Sequence, residues 1–348
     1  MPYLTDAASG VVTPHHEEIS MTTRRLAAVA SLALASALAF TGCAATPTSG
    51  GSTSPDAAGY YPITVTDLAG NEVTIESAES VAITDNRFFQ LAADWGLPIT
   101  VAPRDLMSPN NPLAADDDIL NIGTHIEPDY EQIVAADPDL VINGYRFSAE
   151  REQGVKDAAP DAAFVDMTAP DDVTADEFVV SSLTLLGEVF NKKDEAAALI
   201  DEFHTAVADA KDAYDPDITV MGLVTSGGEI NYSNPSDGRG ASIFFSLLGM
   251  TPALETTGTE KDTGDSVSLE ALAAANADVL IVLDRDAAVA DGEVTPALEL
   301  IGSSTALSTV PAVQNDAIYV FPADYYLTED VFAYIAVLNG LTKVFQAS

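Results

Sequence analysis

Asp129-Tyr-Glu131-Gln-Ile-Val-Ala-Ala-Asp-Pro-Asp139-Leu-Val-Ile-Asn-Gly-Tyr-Arg146 and Ser268-Leu-Glu270-Ala-Leu-Ala-Ala-Ala-Asn-Ala-Asp278-Val-Leu-Ile-Val-Leu-Asp-Arg285 are two copies of one pattern. In each, a Glu opens a short helical stretch, an Asp follows eight positions later, an apolar run comes next, and an Arg stands fifteen positions after the Glu. Short apolar runs bounded by turn residues read as buried strands. Self-similarity of this kind predicts two related lobes, each carrying the same helix-strand unit.

Working outward, Val81 to Thr84, Thr100 to Ala102, Leu140 to Asn143 and Ala163 to Val165 are the strand candidates of the first half. Val220 to Thr225, Val279 to Leu283 and Ile318 to Phe321 are those of the second. Helical stretches alternate with them, which predicts two α/β lobes with mostly parallel sheets. Ahead of them, Ile63 to Ile75 reads as a hairpin turning at Gly70-Asn71 and forming an N-terminal edge. Ala175 to Phe190 and Lys192 to Tyr214 carry apolar residues at helical spacing. The second is roughly 35 Å long at about 1.5 Å per residue, long enough to join two lobes or to pack on one. The predicted organisation is a leader over 1–42, a tether over 43–59, a first lobe over 60–190, a linking helix over 191–215 and a second lobe over 216–348.

The N-terminus has its own logic. Arg24 and Arg25 precede an uncharged run from Leu26 to Phe40 and then Thr41-Gly42-Cys43. The run falls short of the ~20 apolar residues a membrane helix needs, so it reads as a signal peptide. Asp6, Glu17 and Glu18 are wrong for the front of one, which makes Met21 the expected start. The small pair before Cys43 resembles the lipobox of bacterial lipoproteins, although Phe40 stands where Leu is usual, and this implies a lipid on Cys43. The Ser/Thr/Gly/Pro tract from Ala44 to Pro55 reads as a flexible tether. Cys43 is the sole cysteine, which excludes an intrachain disulfide. The expectation is an exported monomer held at the outer face of the cell membrane.

With 54 acidic against 14 basic residues the net charge is −40, a field that repels nucleic acid and anionic lipid headgroups. In such a chain each arginine is conspicuous. Ligands of open α/β sheets bind beyond the carboxyl ends of the strands, where Arg146 and Arg285 stand, one per lobe. Arg239 lies in the Gly-flanked loop Gly238-Arg239-Gly240 entering an apolar helix, where glycines allow tight turns and close ligand approach to backbone N–H groups. Arg87 and Arg104 also follow strands, and Arg151 reads as a helix-surface residue. Tyr145 and Phe147 flank Arg146, Tyr232 precedes the glycine loop, and Tyr325-Tyr326 follows a strand. Guanidinium groups beside aromatic faces suit an anionic ligand with aromatic rings.

The pattern Gly123-x-x-x-Glu127-Pro128-Asp129-x-Glu131-x-Ile133, then Pro138-Asp139-Leu140-Val141-Ile142, with Val282-Leu-Asp-Arg285 and Tyr325-Tyr326-Leu327, resembles the solute-binding lipoproteins of iron-siderophore ABC importers. The likeness runs from about Pro62 to the C-terminus and is strongest to binders of catecholate siderophores. It implies a periplasmic binding protein with a helical backbone and no enzymatic activity. Its ligand would be a ferric siderophore complex, with no separate cofactor, and its partners an ABC permease and its ATPase subunits. It further implies that Arg146, Arg239, Arg285 and Tyr326 surround the ligand, with Tyr325, Tyr145 and Arg87 nearby, and that Glu131 and Glu270 dock on the permease. A helix N-terminal role for the two glutamates is the alternative. Some catecholate binders carry a His where this chain has Thr263 before Gly264-Asp265-Ser266, which favours a ligand that fills the iron's coordination sphere by itself.

Direct metal binding is disfavoured because only His125 and His204 follow the leader. Haem, with Tyr145, Tyr325 or Tyr326 as axial ligand, and cobalamin are the rival ligands. A lipid-anchored hydrolase is the rival from another class, but the chain lacks a Gly-x-Ser-x-Gly elbow, a His-Glu-x-x-His pair and a phosphate-binding loop.

Overall fold

The computed structural model describes residues 59–256, 258, 260–290 and 292–348; the expected leader, Cys43 and the tract up to residue 58 lie outside them. The described chain opens with β1 (Ile63–Thr66) and β2 (Glu72–Ile75), paired antiparallel. This hairpin is a two-stranded sheet of its own, not the expected edge of the first sheet. The reason lies in Asp67. Its carboxylate accepts both the Asn71 N–H in the turn (2.7 Å) and the N–H of Asp166 (3.2 Å), so the hairpin meets the end of a strand instead of its side.

The first large sheet contains β3 (Val81–Ile83), β4 (Ile99–Ala102), β5 (Leu120–Asn121), β6 (Leu140–Asn143) and β7 (Ala163–Asp166). They lie in the order β5-β4-β3-β6-β7, all parallel. The second contains β8 (Thr219–Ser226), β9 (Glu229–Ser233), β10 (Thr251–Pro252), β11 (Val279–Asp284) and β12 (Ile318–Val320). Here β10-β8-β11-β12 are parallel and β9 turns back antiparallel on β8.

The repeat has a structural meaning. In the first sheet Val81 pairs with Leu140, and in the second Val220 pairs with Val279. The repeated Asp ties the two strand starts together in both: Asp139 accepts the Ser80 N–H at 3.0 Å, and Asp278 accepts the Thr219 N–H at 2.9 Å. Each short helix before it, Tyr130–Ala136 and Leu269–Ala275, ends on a left-handed residue, Asp137 at φ 45° and Asn276 at φ 58°.

Strands buried on both faces send alternate side chains to different cores. Val220 and Val224 of β8 and Val279, Ile281 and Leu283 of β11 join one large cluster that also takes in Val81, Ile83, Leu140 and Ile142 of the first sheet. The intervening Met221, Leu223, Leu280 and Val282 face a second cluster behind their own sheet, and Val141 a third behind the first sheet. The two sheets thus share one continuous apolar core. The helix Lys193–Ala213 packs along Ala175–Val189 and along the last helix, Val331–Ala347, and buries Ala196, Leu199, Phe203, Ala206, Val207 and Ala210 at helical spacing. Among the described residues no helix is long and apolar enough to cross a membrane.

Asp330 caps the last helix, accepting the Ala333 N–H at 2.8 Å while only 4% exposed. Burial pushes its carboxyl up to about 6, with the nearby Asp324 adding to the effect. An acid whose folded pKa lies above its unfolded value favours the fold while protonated. The contribution is complete below about pH 4 and is lost as pH rises through the folded value. Asp330→Asn keeps the acceptor and removes the charge, so it should add about 2 kcal/mol at pH 7 and little at pH 4. Urea unfolding at the two pH values reads the difference; equal gains at both would contradict the buried-charge account.

Candidate functional site

The carboxyl ends of the two parallel sheets deliver the repeat arginines. Arg285 follows β11 directly, and Arg146 stands a short turn beyond β6. Gly144 in that turn lies against Asp85, where an added Cβ would come within 2.6 Å of the Asp85 Cβ. Arg239 is aimed by the glycines on either side of it. A Cβ at Gly238 would stand 2.4 Å from the Asn234 nitrogen, and Gly240, at φ 81°, begins the helix Ala241–Leu248 against Leu283 and Phe321. These glycines therefore serve close packing behind the arginine, where the sequence had suggested an open approach for a ligand.

One carboxylate stands between arginines of the two halves. Glu329 accepts from Arg239 Nε at 2.9 Å and from a terminal nitrogen of Arg239 at 2.7 Å, and it also accepts from Arg146 at 3.2 Å. Arg239 additionally donates to the Tyr326 carbonyl at 2.8 Å. Its guanidinium carbon lies 3.7 Å from the centroid of the Tyr326 ring, and that of Arg285 lies 5.0 Å from the same centroid. Tyr326 therefore brings two cations against one aromatic ring. Burial alone would lower the Arg239 pKa, but the hydrogen bonds and charge of Glu329 outweigh it and hold the guanidinium above its ordinary value. Arg285 has no carboxylate partner among the described residues. It donates to Ser226 Oγ at 3.4 Å, and its Nε is buried without an acceptor. A buried donor of that kind is costly unless a further group meets it.

A family model described as periplasmic binding protein matches residues 81–325. The chain belongs to that family. Petrobactin-binding protein YclQ of Bacillus subtilis (strain 168) is 27% identical over 236 residues, 67% of this chain and 69% of the relative. The Fe(3+)-citrate-binding protein YfmC of the same organism is 25% identical over 268 residues, 74% and 79% of the two chains. The solved structure of siderophore-binding protein BauB, bound to a complex between two molecules of acinetobactin and ferric iron, matches with a TM-score of 0.69 at 19% identity. It covers 83% of this chain and 100% of the other, a likeness of fold.

In this periplasmic binding protein the remaining candidates divide into those at the site and those behind it. Tyr145 is 47% exposed, and its hydroxyl accepts from Arg146 Nε at 3.2 Å. Arg87 was expected among the ligand contacts. Instead its Nε donates to both oxygens of Asp85 (2.9 and 3.2 Å), and its guanidinium is stacked 4.2 Å from the rings of both Tyr145 and Phe178. It supports Tyr145 from behind. Tyr325 is 1% exposed and packs on Phe244, Phe321 and Tyr334, so it belongs to the core although Tyr326 beside it faces the arginines. Tyr232 and Phe147 are likewise buried. Arg104 donates to the Ile119 and Ala114 carbonyls and Arg151 to that of Ile126, tying loops together.

Sequence reasoning missed Glu329, which carries no motif and is one of 54 acids. It also gave no role to His125. Burial, Arg146, Arg151 and Arg239 lower the His125 pKa, which disfavours its charged form, and its Nδ1 is buried without a partner. Among the described residues no group of three or more His, Cys, Asp or Glu is placed to hold a metal ion.

Proposed function

We propose that this protein captures an anionic ferric siderophore complex, of the catecholate type, between its two halves and delivers it to an ABC permease without chemically altering it. The observation that carries this reading is the convergence of Arg146, Arg239 and Arg285 on one place with one part-buried carboxylate, Glu329, among them and a second, exposed one, Asp262, 3.4 Å from Arg239 at its rim. Three cations against these two anions leave one positive charge in a chain of net charge −40. A ferric tris-catecholate bears three negative charges. One opposite pair at 4 Å is worth about 4 kcal/mol at an effective dielectric near 20. Tyr145 and Tyr326 add aromatic faces beside the guanidinium groups. The names of two relatives, one for petrobactin and one for ferric citrate, support a ferric ligand.

Haem is a poorer fit at two of the three tyrosines considered. Tyr325 is buried, and burial holds its phenol well above its ordinary pKa, so it offers no axial oxygen; the Tyr145 hydroxyl accepts from Arg146 Nε and would have to give up that contact to ligate iron. Docking on the permease through Glu131 and Glu270 gains support from their surroundings. Asp129 and Ser268 supply the helix caps, which leaves the two exposed glutamate side chains without a hydrogen-bond partner among the described residues. A lipid on Cys43, outside the described residues, would hold the protein at the outer face of the cell membrane beside that permease.

Intrinsic tyrosine fluorescence titrations with ferric tris-catecholate, ferric citrate and a neutral ferric trihydroxamate test the reading. The tris-catecholate should bind with micromolar or tighter affinity and the neutral complex about 100-fold more weakly. Absence of tight binding by either anionic complex would sink it.

A further inference from the structure

The segment from Asp324 to Asp330 belongs to the second half of the chain, and a series of hydrogen bonds ties it to the first. Ser108 Oγ donates to the Asp324 carboxylate at 2.8 Å, Asn86 Nδ2 to the Leu327 carbonyl at 2.8 Å, and Arg146 to Glu329 at 3.2 Å. Glu329 is the one member of this set whose partners are site arginines. It ends the short helix Tyr325–Thr328 in the left-handed region, at φ 43°, a conformation that favours Gly or Asn over Glu. Its side chain is nevertheless only 13% exposed and ion-paired on both sides. An unfavourable backbone conformation held by two ion pairs indicates that the carboxylate, and not the turn, requires Glu at this position.

We propose that Glu329 is a resident counter-anion that sets the charge specificity of the site. When no ligand is bound, its two oxygens occupy the place of a ligand's anionic oxygens and hold Arg146 and Arg239 together across the two halves. A ferric complex enters by displacing it. A ligand that brings two or more anionic oxygens restores the contacts Arg146 and Arg239 lose, and a neutral complex does not, so neutral complexes are turned away at the cost of the broken ion pairs. The displaced Glu329 then repels the bound anion, which keeps affinity below the maximum three arginines would allow and lets the ligand be given up to a permease. The shared apolar core leaves the two halves little freedom to move apart. The switch is accordingly a local exchange of one carboxylate for another anion, with the Asp324–Asp330 segment as the moving part.

The displacement rests on the proposed function, whereas the bridging by Glu329 does not, and the test separates them. Glu329→Gln keeps the shape without the charge; Glu329→Gly also removes the left-handed strain. Both variants should bind ferric tris-catecholate about tenfold more tightly than the native protein, the size of effect expected when an ion pair no longer has to be broken. Without added ligand, both should show faster amide hydrogen exchange over residues 145–148 and 324–330. If the native protein binds the complex and neither variant binds it more tightly, the counter-anion role is overturned and the proposed function stands. If no form of the protein binds any ferric anion, the proposed function falls, and displacement with it. Unchanged exchange in both variants would overturn the bridge itself.

Discussion

Replacing Arg146, Arg239 and Arg285 together by Gln should weaken binding of ferric tris-catecholate, the proposed ligand, by about four orders of magnitude, at about 2 kcal/mol for each charged donor lost. In the proposed function the three arginines act on one ligand, and each is placed by its own route. Arg239 is stacked on Tyr326 and packed behind by Gly238 and Gly240. Arg146 is held by the Tyr145 hydroxyl. Arg285 keeps a buried Nε without an acceptor. Because that last donor has nothing in the protein to give up, Arg285→Gln alone should cost more affinity than Arg146→Gln, which also relieves a competing contact with Glu329. Gln retains amide donors for Glu329, so the triple variant should keep its thermal unfolding midpoint within a few degrees. A titration in which the triple variant binds within tenfold of the native protein would show that the arginines are structural. The order of the single substitutions reports how the site's charge is shared.

The repeat made the architecture legible because it rests on backbone connections that leave a mark at fixed spacing. Asp139 and Asp278 each close two strand starts, and an apolar strand follows each of them. Strand candidates such as Leu140 to Asn143 coincide with β6 to the residue, because a strand buried on both faces must be apolar throughout. β9 was not legible. Glu229-Ile-Asn-Tyr-Ser233 pairs with β8 at the edge of the sheet, and such a segment carries no long apolar run. The grouping of charged residues was half legible. Arg146 and Arg285 stand out through the repeat and Arg239 through its glycines, and the structure brings the three together around Glu329 and Tyr326. The separation of Tyr325 from Tyr326 was not readable, since neighbouring residues of one helical turn point about 100° apart and a four-residue helix is too short to show a phase. The pairing of Arg87 was not readable for a similar reason. Its partner Asp85 is two residues away, but only the short helical turn Asn86–Phe88 folds the guanidinium back onto that carboxylate.

Phe244→Ala should destabilise the protein by about 4 kcal/mol, the range for deleting a fully buried aromatic ring. Phe244 is completely buried in the helix that Gly240 begins. Its ring stands edge-on to Phe321 at 5.4 Å and to Tyr334 at 6.2 Å, with Tyr325 also at 6.2 Å. These partners come from the segment after β12, from the last helix and from the residue next to Tyr326, so one ring joins three elements that surround the site. The cavity left by Ala cannot close without moving at least one of them. Movement of Tyr325 carries Tyr326 with it and loosens the stack that aligns Arg239 and Arg285. The variant should therefore lose about tenfold in affinity for ferric tris-catecholate although Phe244 touches no ligand-facing group. Phe244→Leu, which keeps most of the volume, should cost about 1 kcal/mol and leave binding nearly intact. Urea unfolding and fluorescence titration of the two variants, side by side, measure both effects. Loss of stability with unchanged affinity in the Ala variant would mean that Tyr326 is held by its guanidinium neighbours alone, and the aromatic core would then have no part in positioning the arginines.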